Sequence, residues 1–261
     1  MTRTAYAFAG KTSVDEQLKA LTDACDPFTR AGLDSLDIQA DWQILDIGAG
    51  SGTIATWLAD RVGADGMVTA TDIDPSRIPA RQRLTTVPHN IAADPLPDAY
   101  YDLIHSRLVM IHLPAREKIL GKLLAALKPG GHLMLHEFDC TARRTVLNGG
   151  ADDTALHERV IAGINRVLLT AGAQLDWGTA AHAAMTRAGF VDVDTTATQV
   201  SSRGGDPWAR LAAINTLQLH EQLLDTGLTA ADLDRFRNLM DDPDFTAMSY
   251  LITRTTGRRA Q

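Results

Sequence analysis

Asp46, Gly48, Gly50 and Gly52 stand at alternate positions between an apolar run, Ile44-Leu45-Asp46-Ile47, and a segment that reads as a helix over 53–62. Glycine reaches positive φ and lets a ligand approach the backbone closely, and the first N–H groups of the following helix turn toward whatever the loop holds. A second apolar run, 67–71, closes on Asp72, 20 residues after Gly52. A carboxylate there can accept both hydroxyls of a ribose. Strand, glycine loop, helix, strand and acid in that order read as a nucleotide-cofactor site. Ile73 comes next and is placed to lie flat against a base, although a core isoleucine would look the same in sequence.

His112 follows the fourth apolar strand, and His136 lies in the fifth, which ends in Glu137 and Asp139. Open α/β sheets bind ligands at the C-terminal ends of their strands, and histidine is the natural base near neutral pH. These two are the candidate catalytic residues, with His105 the third choice. Each also has a packing role open to it, at a helix start or under the helical cover of the sheet. Glu137 and Asp139 form too small an oxygen set to hold a metal alone, so no metal is expected.

The elements that must position these residues alternate. Strands are expected at 42–47, 67–72, 86–91, 101–105 and 132–138, with helices at 53–62, 78–84 and 115–127, which implies a parallel sheet. Pro88 falls in the third strand, and proline is tolerated mainly at a sheet edge. Lys128-Pro129-Gly130-Gly131 reads as a helix stop and turn. Beyond it come a helical insertion at 141–178, a helix over 179–188, a strand over 190–198, two amphipathic helices within 206–240 and a last strand at 248–253. The expected organisation is an N-terminal helical cap, 1–40, and a core, 41–261, with helical insertions near 141–178 and 204–243 that would form a lid.

At 261 residues and a formal charge of −7, with no Lys/Arg-dense stretch, the chain lacks the electrostatic footprint of a nucleic-acid binder. Cys25 and Cys140 form neither a C-x-x-C pair nor a cluster with histidine, so they read as reduced thiols of a cytoplasmic protein. No run approaches the ~18 apolar residues of a membrane span. A small-molecule partner is favoured, no nucleic acid or membrane partner is expected, and a homodimer stays open.

The loop departs from the dinucleotide pattern, since Thr53 stands where its last small residue should be. An acid before the first glycine repels a pyrophosphate and suits a cofactor end bearing an ammonium group. Asp46-x-Gly48-x-Gly50-x-Gly52 resembles the first motif of the class I S-adenosylmethionine (SAM) methyltransferases. The resemblance continues through Tyr101-Asp102-Leu103-Ile104 to His112-Leu113-Pro114 and through Leu127-Lys128-Pro129-Gly130-Gly131, covering about residues 40–140. More weakly, Asp15-Glu16-Gln17-Leu18 to Asp26-Pro27-Phe28-Thr29, and the stretch from Asp242 to Arg259, look similar to the end segments of actinobacterial small-molecule (natural-product type) methyltransferases. Those often carry Arg where Gln17 stands, and Tyr6 and Gln17 could fold over the cofactor.

That resemblance implies a Rossmann-like α/β fold with a seven-stranded, mostly parallel sheet in the order 3-2-1-4-5-7-6. The implied cofactor is SAM, with S-adenosylhomocysteine as product. Asp46 and the three glycines would serve its methionine end, Asp72 its ribose, and Ile73 its adenine. Asn90 stands where the family usually has an Asp for the adenine amino group, with Asp94 near enough for the register to slip. Ile91 and Ser106 complete the expected cofactor contacts. The implied reaction is in-line methyl transfer to oxygen or carbon of a small organic acceptor. A hydrophobic or aromatic secondary metabolite would suit the apolar side chains of the insertions, such as Leu156, Val160, Ile164, Trp208 and Leu217. Two alternatives stand beside it: a SAM-binding scaffold or sensor without transfer, and a nicotinamide oxidoreductase.

Overall fold

The apolar run after Trp42 forms β1 (Gln43–Ile47), four of whose five residues are buried, as a strand covered on both faces requires. The computed structural model describes residues 14–261; Tyr6 lies outside them. In chain order the elements are α1 (Val14–Asp34), β1, α2 (Thr53–Ala59), β2 (Met67–Asp72), β3 (Leu84–Pro88), β4 (Tyr101–Arg107), α3 (Arg116–Ala126), β5 (Leu127–Asp139), β6 (Val146–Asn148), α4 (Ala151–Thr170), α5 (Trp177–Ala188), β7 (Val191–Thr198), β8 (Ser201–Arg203), α6 (Pro207–Gln218), α7 (His220–Leu224), α8 (Ala230–Asp241), β9 (Thr246–Met248) and β10 (Leu251–Arg258).

These elements fall into two compact units. The first gathers Asp26–Phe138, Asp176–Ala197 and Ile252–Gln261; the second gathers the described residues up to Cys25, with Asp139–Leu175 and Thr198–Leu251. The first unit is built on a seven-stranded sheet in the order β3-β2-β1-β4-β5-β10-β7. The pairings of β1 with β2 and β4, of β2 with β3 and of β4 with β5 are parallel. Since β7 and β10 are the sixth and seventh strands of this sheet, the expected order is met, and Pro88 is on an edge strand as its missing N–H requires. Leu33 of α1, Ile54 and Leu58 of α2, and Ile44, Val68, Leu103 and Met134 of the sheet form one buried apolar cluster.

Residues 78–84 do not form the expected helix. The chain makes a 3-10 turn, Pro75–Arg77, whose start is capped by the Asp74 carboxylate on Ser76 N–H, and Ile78 is already extended at φ −79°, ψ 119°. Pro79 accounts for this, because a following proline drives a residue out of helical conformation, and Arg83 then takes φ 60°. Lys128-Pro129-Gly130-Gly131 lies within β5 instead of before it. Its character as a turn survives as a register shift against β4 and as a φ of 79° at Gly130.

The second unit holds α4, α6, α7 and α8 with a three-stranded sheet, β6-β9-β8, paired antiparallel. Three-residue strands are too short for alternation to register, so this sheet had no signal in the sequence. Its β9, Thr246–Met248, takes Met248 from the last strand expected at 248–253, and the last strand of the large sheet runs over Leu251–Arg258. The region 206–240 holds a third, five-residue helix, α7, besides the two expected. Leu156, Val160 and Ile164 of α4 are 0–2% exposed and Leu211 and Leu223 are as deeply buried, while Leu217 is 48% exposed. Most of the apolar stripe is therefore packed in the core of this unit. Among the described residues no helix is long and apolar enough to cross a membrane.

Candidate functional site

The glycine loop carries the backbone conformation its residues allow. Gly48, Gly50 and Gly52 have φ of 67°, 57° and 75°, a region that side chains other than glycine enter at a cost of about 1–2 kcal/mol. A methyl group on Gly48 would stand 2.2 Å from Val109 Cγ2, and one on Gly52 would stand 2.8 Å from Ile78 Cγ2. Two positions are thus closed to a side chain twice over, by torsion and by space. The loop is anchored at both ends, with Ala49 N–H donating to Thr71 O at 3.0 Å and Gly52 N–H to Ala49 O at 2.8 Å.

Asp72, at the end of β2, joins this loop. Its Oδ2 accepts the Gly50 N–H at 2.9 Å and its Oδ1 accepts the Asp74 N–H at 3.0 Å. A carboxylate has about four acceptor sites, so each oxygen retains one. Ile73 is 72% exposed. The reading of it as an ordinary core residue is therefore excluded, and it presents apolar surface beside Asp72.

The 89–94 segment is a tight turn. Asn90 Oδ1 accepts Ala92 N–H at 3.0 Å, Asp94 Oδ2 accepts Asn90 N–H at 2.7 Å, and Lys122 Nζ donates to the carbonyls of Ile91 and Asp94. Both Asn90 and Asp94 thus hold the turn with a side-chain oxygen. Ile91 is buried at 5% exposure. Ser106 is fully buried, and its Oγ has no hydrogen-bond partner among the described residues.

Asp46 faces sideways along the sheet. Its Oδ1 lies 2.7 Å from His105 Nδ1 on the neighbouring strand, and its Oδ2 has no partner among the described residues. The sequence placed Asp46 at the cofactor's methionine end without indicating that its carboxylate is engaged by His105.

His112 ends a 3-10 turn, Met110–His112, that follows β4. Leu108, at φ 56° without being glycine, bends the chain into it. Glu137 of β5 holds the turn, its Oε1 accepting Met110 N–H at 2.9 Å and its Oε2 accepting Ile111 N–H at 3.4 Å. Arg116 grips the same residues from the carbonyl side, Nε donating to Met110 O at 3.1 Å and Nη2 to Ile111 O at 3.3 Å. Burial pushes the Glu137 carboxyl up to about 8 against the backbone hydrogen bonds that oppose it, so it holds its proton at pH 7. Burial, with the Arg116 charge second, takes the His112 imidazole down to about 4.

His136 sits deeper, with 1% exposure and no partner for either ring nitrogen among the described residues. Its ring centroid is 5.6 Å from that of His105, and a methyl on Gly32 of α1 would lie 3.2 Å from its Nε2. Burial first, then the His105 and Arg107 charges, hold its pKa well below the ordinary value. This is the enclosed position under helical cover that its sequence also allowed.

A cluster that the sequence did not single out borders Thr53, the first residue after the loop. Asp26 Oδ1 accepts from Arg107 Nη1 at 2.8 Å and from Thr53 Oγ1 at 3.3 Å, while its Oδ2 accepts from Arg30 Nη2 at 3.0 Å. Arg107 also donates to Thr29 Oγ1 at 3.2 Å. The available signal was Asp26 with Arg30, an i,i+4 pair, but the partner on β4 could not be read from spacing. Gln17 Nε2 donates to Asn215 Oδ1 at 3.0 Å, a buried bond within the second unit. No group of three or more His, Cys, Asp or Glu residues suited to a metal ion occurs among the described residues.

Comparison with known proteins agrees with this architecture. A family described as a methyltransferase domain matches residues 15–194. The methyltransferase str2 of Strobilurus tenacellus is 35% identical over 127 residues, 47% of this chain and 45% of that protein. The ubiquinone/menaquinone biosynthesis C-methyltransferase UbiE of Bordetella avium is 30% identical over 115 residues, 41% of this chain and 45% of that protein. The chain therefore spans about half the length of the relatives it matches. Among solved structures, a phosphoethanolamine N-methyltransferase of Haemonchus contortus, in complex with phosphomonomethylethanolamine and S-adenosylhomocysteine, superposes with a TM-score of 0.53 at 15% identity, over 95% of this chain and 53% of that one.

Proposed function

We propose, since this chain belongs to the methyltransferase-domain family of class I SAM-dependent enzymes, that it transfers a methyl group from SAM to oxygen or carbon of a small, hydrophobic or aromatic organic acceptor. The observation that carries the reading is the glycine loop with the Asp72 carboxylate on Gly50 N–H and exposed Ile73 beside it. These residues fit the cofactor: Asp72 keeps acceptor capacity for two ribose hydroxyls, Ile73 offers an apolar face to adenine, and the loop carries its positive φ angles on glycine. Asn90 would receive the adenine amino group on the remaining lone pair of Oδ1, and the neighbouring Ile91 would add apolar contact. Ser106 would add a buried hydroxyl. Asp46 would serve the methionine end through the loop backbone and through its Oδ2, its Oδ1 being engaged by His105.

Bound SAM would supply a methyl group already made electrophilic by the positive sulfur. The chain's work is to hold the acceptor atom about 3–3.5 Å from that methyl, in line with the breaking bond. A phenol or hydroxyl acceptor must also lose a proton. His112 is the candidate for that proton: it is neutral at pH 7, but the burial that holds its pKa to about 4 also makes it a weak base in the free chain, so the acceptor's hydroxyl would have to be acidified by its own ring or by the approaching methyl. We rank His112 above His136, which is enclosed against α1. The name of UbiE, a C-methyltransferase of quinone biosynthesis, supports a small cyclic acceptor.

Calorimetry with S-adenosylhomocysteine and with NAD, followed by methyl-labelled SAM with phenolic, quinone and polyketide acceptors, tests the reading. Tight S-adenosylhomocysteine binding with labelled product supports it. Preference for NAD, or cofactor binding with no transfer to any acceptor, sinks it.

A further inference from the structure

A buried guanidinium in the second unit has no counter-ion among the described residues. Arg144, between β5 and β6, is 7% exposed, and its Cζ stands 3.9 Å over the centroid of the Tyr250 ring. The ring covers one face of the guanidinium. At its edge, Nε and Nη2 have no hydrogen-bond partner among the described residues. Arginine cannot shed its charge, and a buried charge without an opposite partner is strongly destabilising.

Arg144 lines a partly open cavity of about 30 Å³, together with His157, Ser202, Trp208, Phe245 and Ser249. That is more than the roughly 10–15 Å³ one water needs. No Asp or Glu is among its lining residues. His157 supplies no charge either: burial, then the Arg144 charge, takes its pKa down to about 4, and its Nδ1 also lacks a partner among the described residues. The cavity thus combines one fixed positive charge, open polar atoms on two side chains and an apolar wall of Trp208, Met240, Phe245 and Met248.

We propose that this cavity binds the carboxylate of a small organic acid, held by the Arg144 guanidinium, with the acid's carbon chain against Trp208 and Phe245. A guanidinium and a carboxylate match in planar, paired hydrogen bonds, and the Tyr250 ring holds the guanidinium carbon 3.9 Å from its centroid. The site lies wholly within the second unit and does not depend on the cofactor assignment.

The test uses the full chain with propionate and its neutral isostere propionamide, followed by ligand NMR titration. Propionate should bind at least about tenfold more tightly than propionamide, and Arg144→Met should abolish that preference while leaving S-adenosylhomocysteine binding unchanged. Equal affinity of wild type for the two ligands, or unchanged propionate binding by Arg144→Met, overturns the proposal. Should Arg144→Met fail to fold, the wild-type Arg144 Nε–H resonance decides: a shift with propionate and none with propionamide supports the site, and no shift with propionate overturns it.

Discussion

His105 Nδ1 lies 2.7 Å from Asp46 Oδ1 across adjacent strands, and both side chains are buried, at 1% and 2% exposure. Removing the imidazole strands a carboxylate in the interior. His105→Leu should therefore cost about 3–5 kcal/mol, whereas the double variant Asp46→Leu/His105→Leu, which removes both polar partners, should recover much of that. Urea denaturation of the three proteins measures the coupling. Additive losses would show that the pair contributes nothing as a pair.

Gly48 faces Val109 closely enough that Gly48→Ala must move one of them. Adding Val109→Gly should relieve the steric part of the loss and leave the torsional part, about 1–2 kcal/mol for a non-glycine residue at φ 67°. Thermal melts of the single and double variants separate the two. A double variant no more stable than Gly48→Ala would mean that space is not the constraint.

The protonated Glu137 carboxyl makes stability fall toward alkaline pH. Its ordinary value of 4.5 rises to about 8 in the folded chain, so between those values the folded state holds a proton the unfolded state has released, and stability declines as pH rises. His112 and His157, taken from 6.5 to about 4, act in the opposite sense: their contribution is complete above 6.5 and is lost as pH falls toward 4. From pH 6.5 to 8 the Glu137 contribution stands clear of theirs. The melting temperature of wild type should drop across that window, and Glu137→Gln should flatten the profile. An unchanged slope in the variant would refute the assignment.

Asp72→Asn keeps the shape of the side chain and loses its charge. Under the proposed function S-adenosylhomocysteine should bind about tenfold more weakly, near 1.4 kcal/mol, and Asp72→Ala should lose more because Gly50 N–H and Asp74 N–H also lose their acceptor. Calorimetry reads both. Wild-type affinity in Asp72→Ala would remove Asp72 from the cofactor site.

The parts of this protein that were legible in sequence are those written locally. The glycine loop, Asp72 and the alternation of apolar runs depend on residues within a few positions of one another, and the edge position of β3 followed from Pro88 alone. No helix forms at 78–84, where the alternation of strand and helix implies one, because Pro79 drives Ile78 out of helical conformation. What stayed hidden depends on meetings of distant residues: Asp26 with Arg107, Asp46 with His105, Glu137 with the backbone of the 110–111 turn, and the small sheet made of three-residue strands. The exposure of Ile73 and the enclosure of His136 were equally invisible, since spacing names a face of a strand but not what covers it.

The turn at Met110 and Ile111 draws its acceptor from a side chain 27 and 26 residues further along the chain. The turn's own bonds, His112 N–H to Val109 O and Leu113 N–H to Met110 O, are local, but the N–H groups of Met110 and Ile111 find their acceptor only in β5. A nascent chain that ends before Glu137 leaves those two donors unpaired, and with them the turn that carries Val109 against Gly48 less firmly held. The contour of the glycine loop is completed late in synthesis, when the fifth strand has joined the sheet.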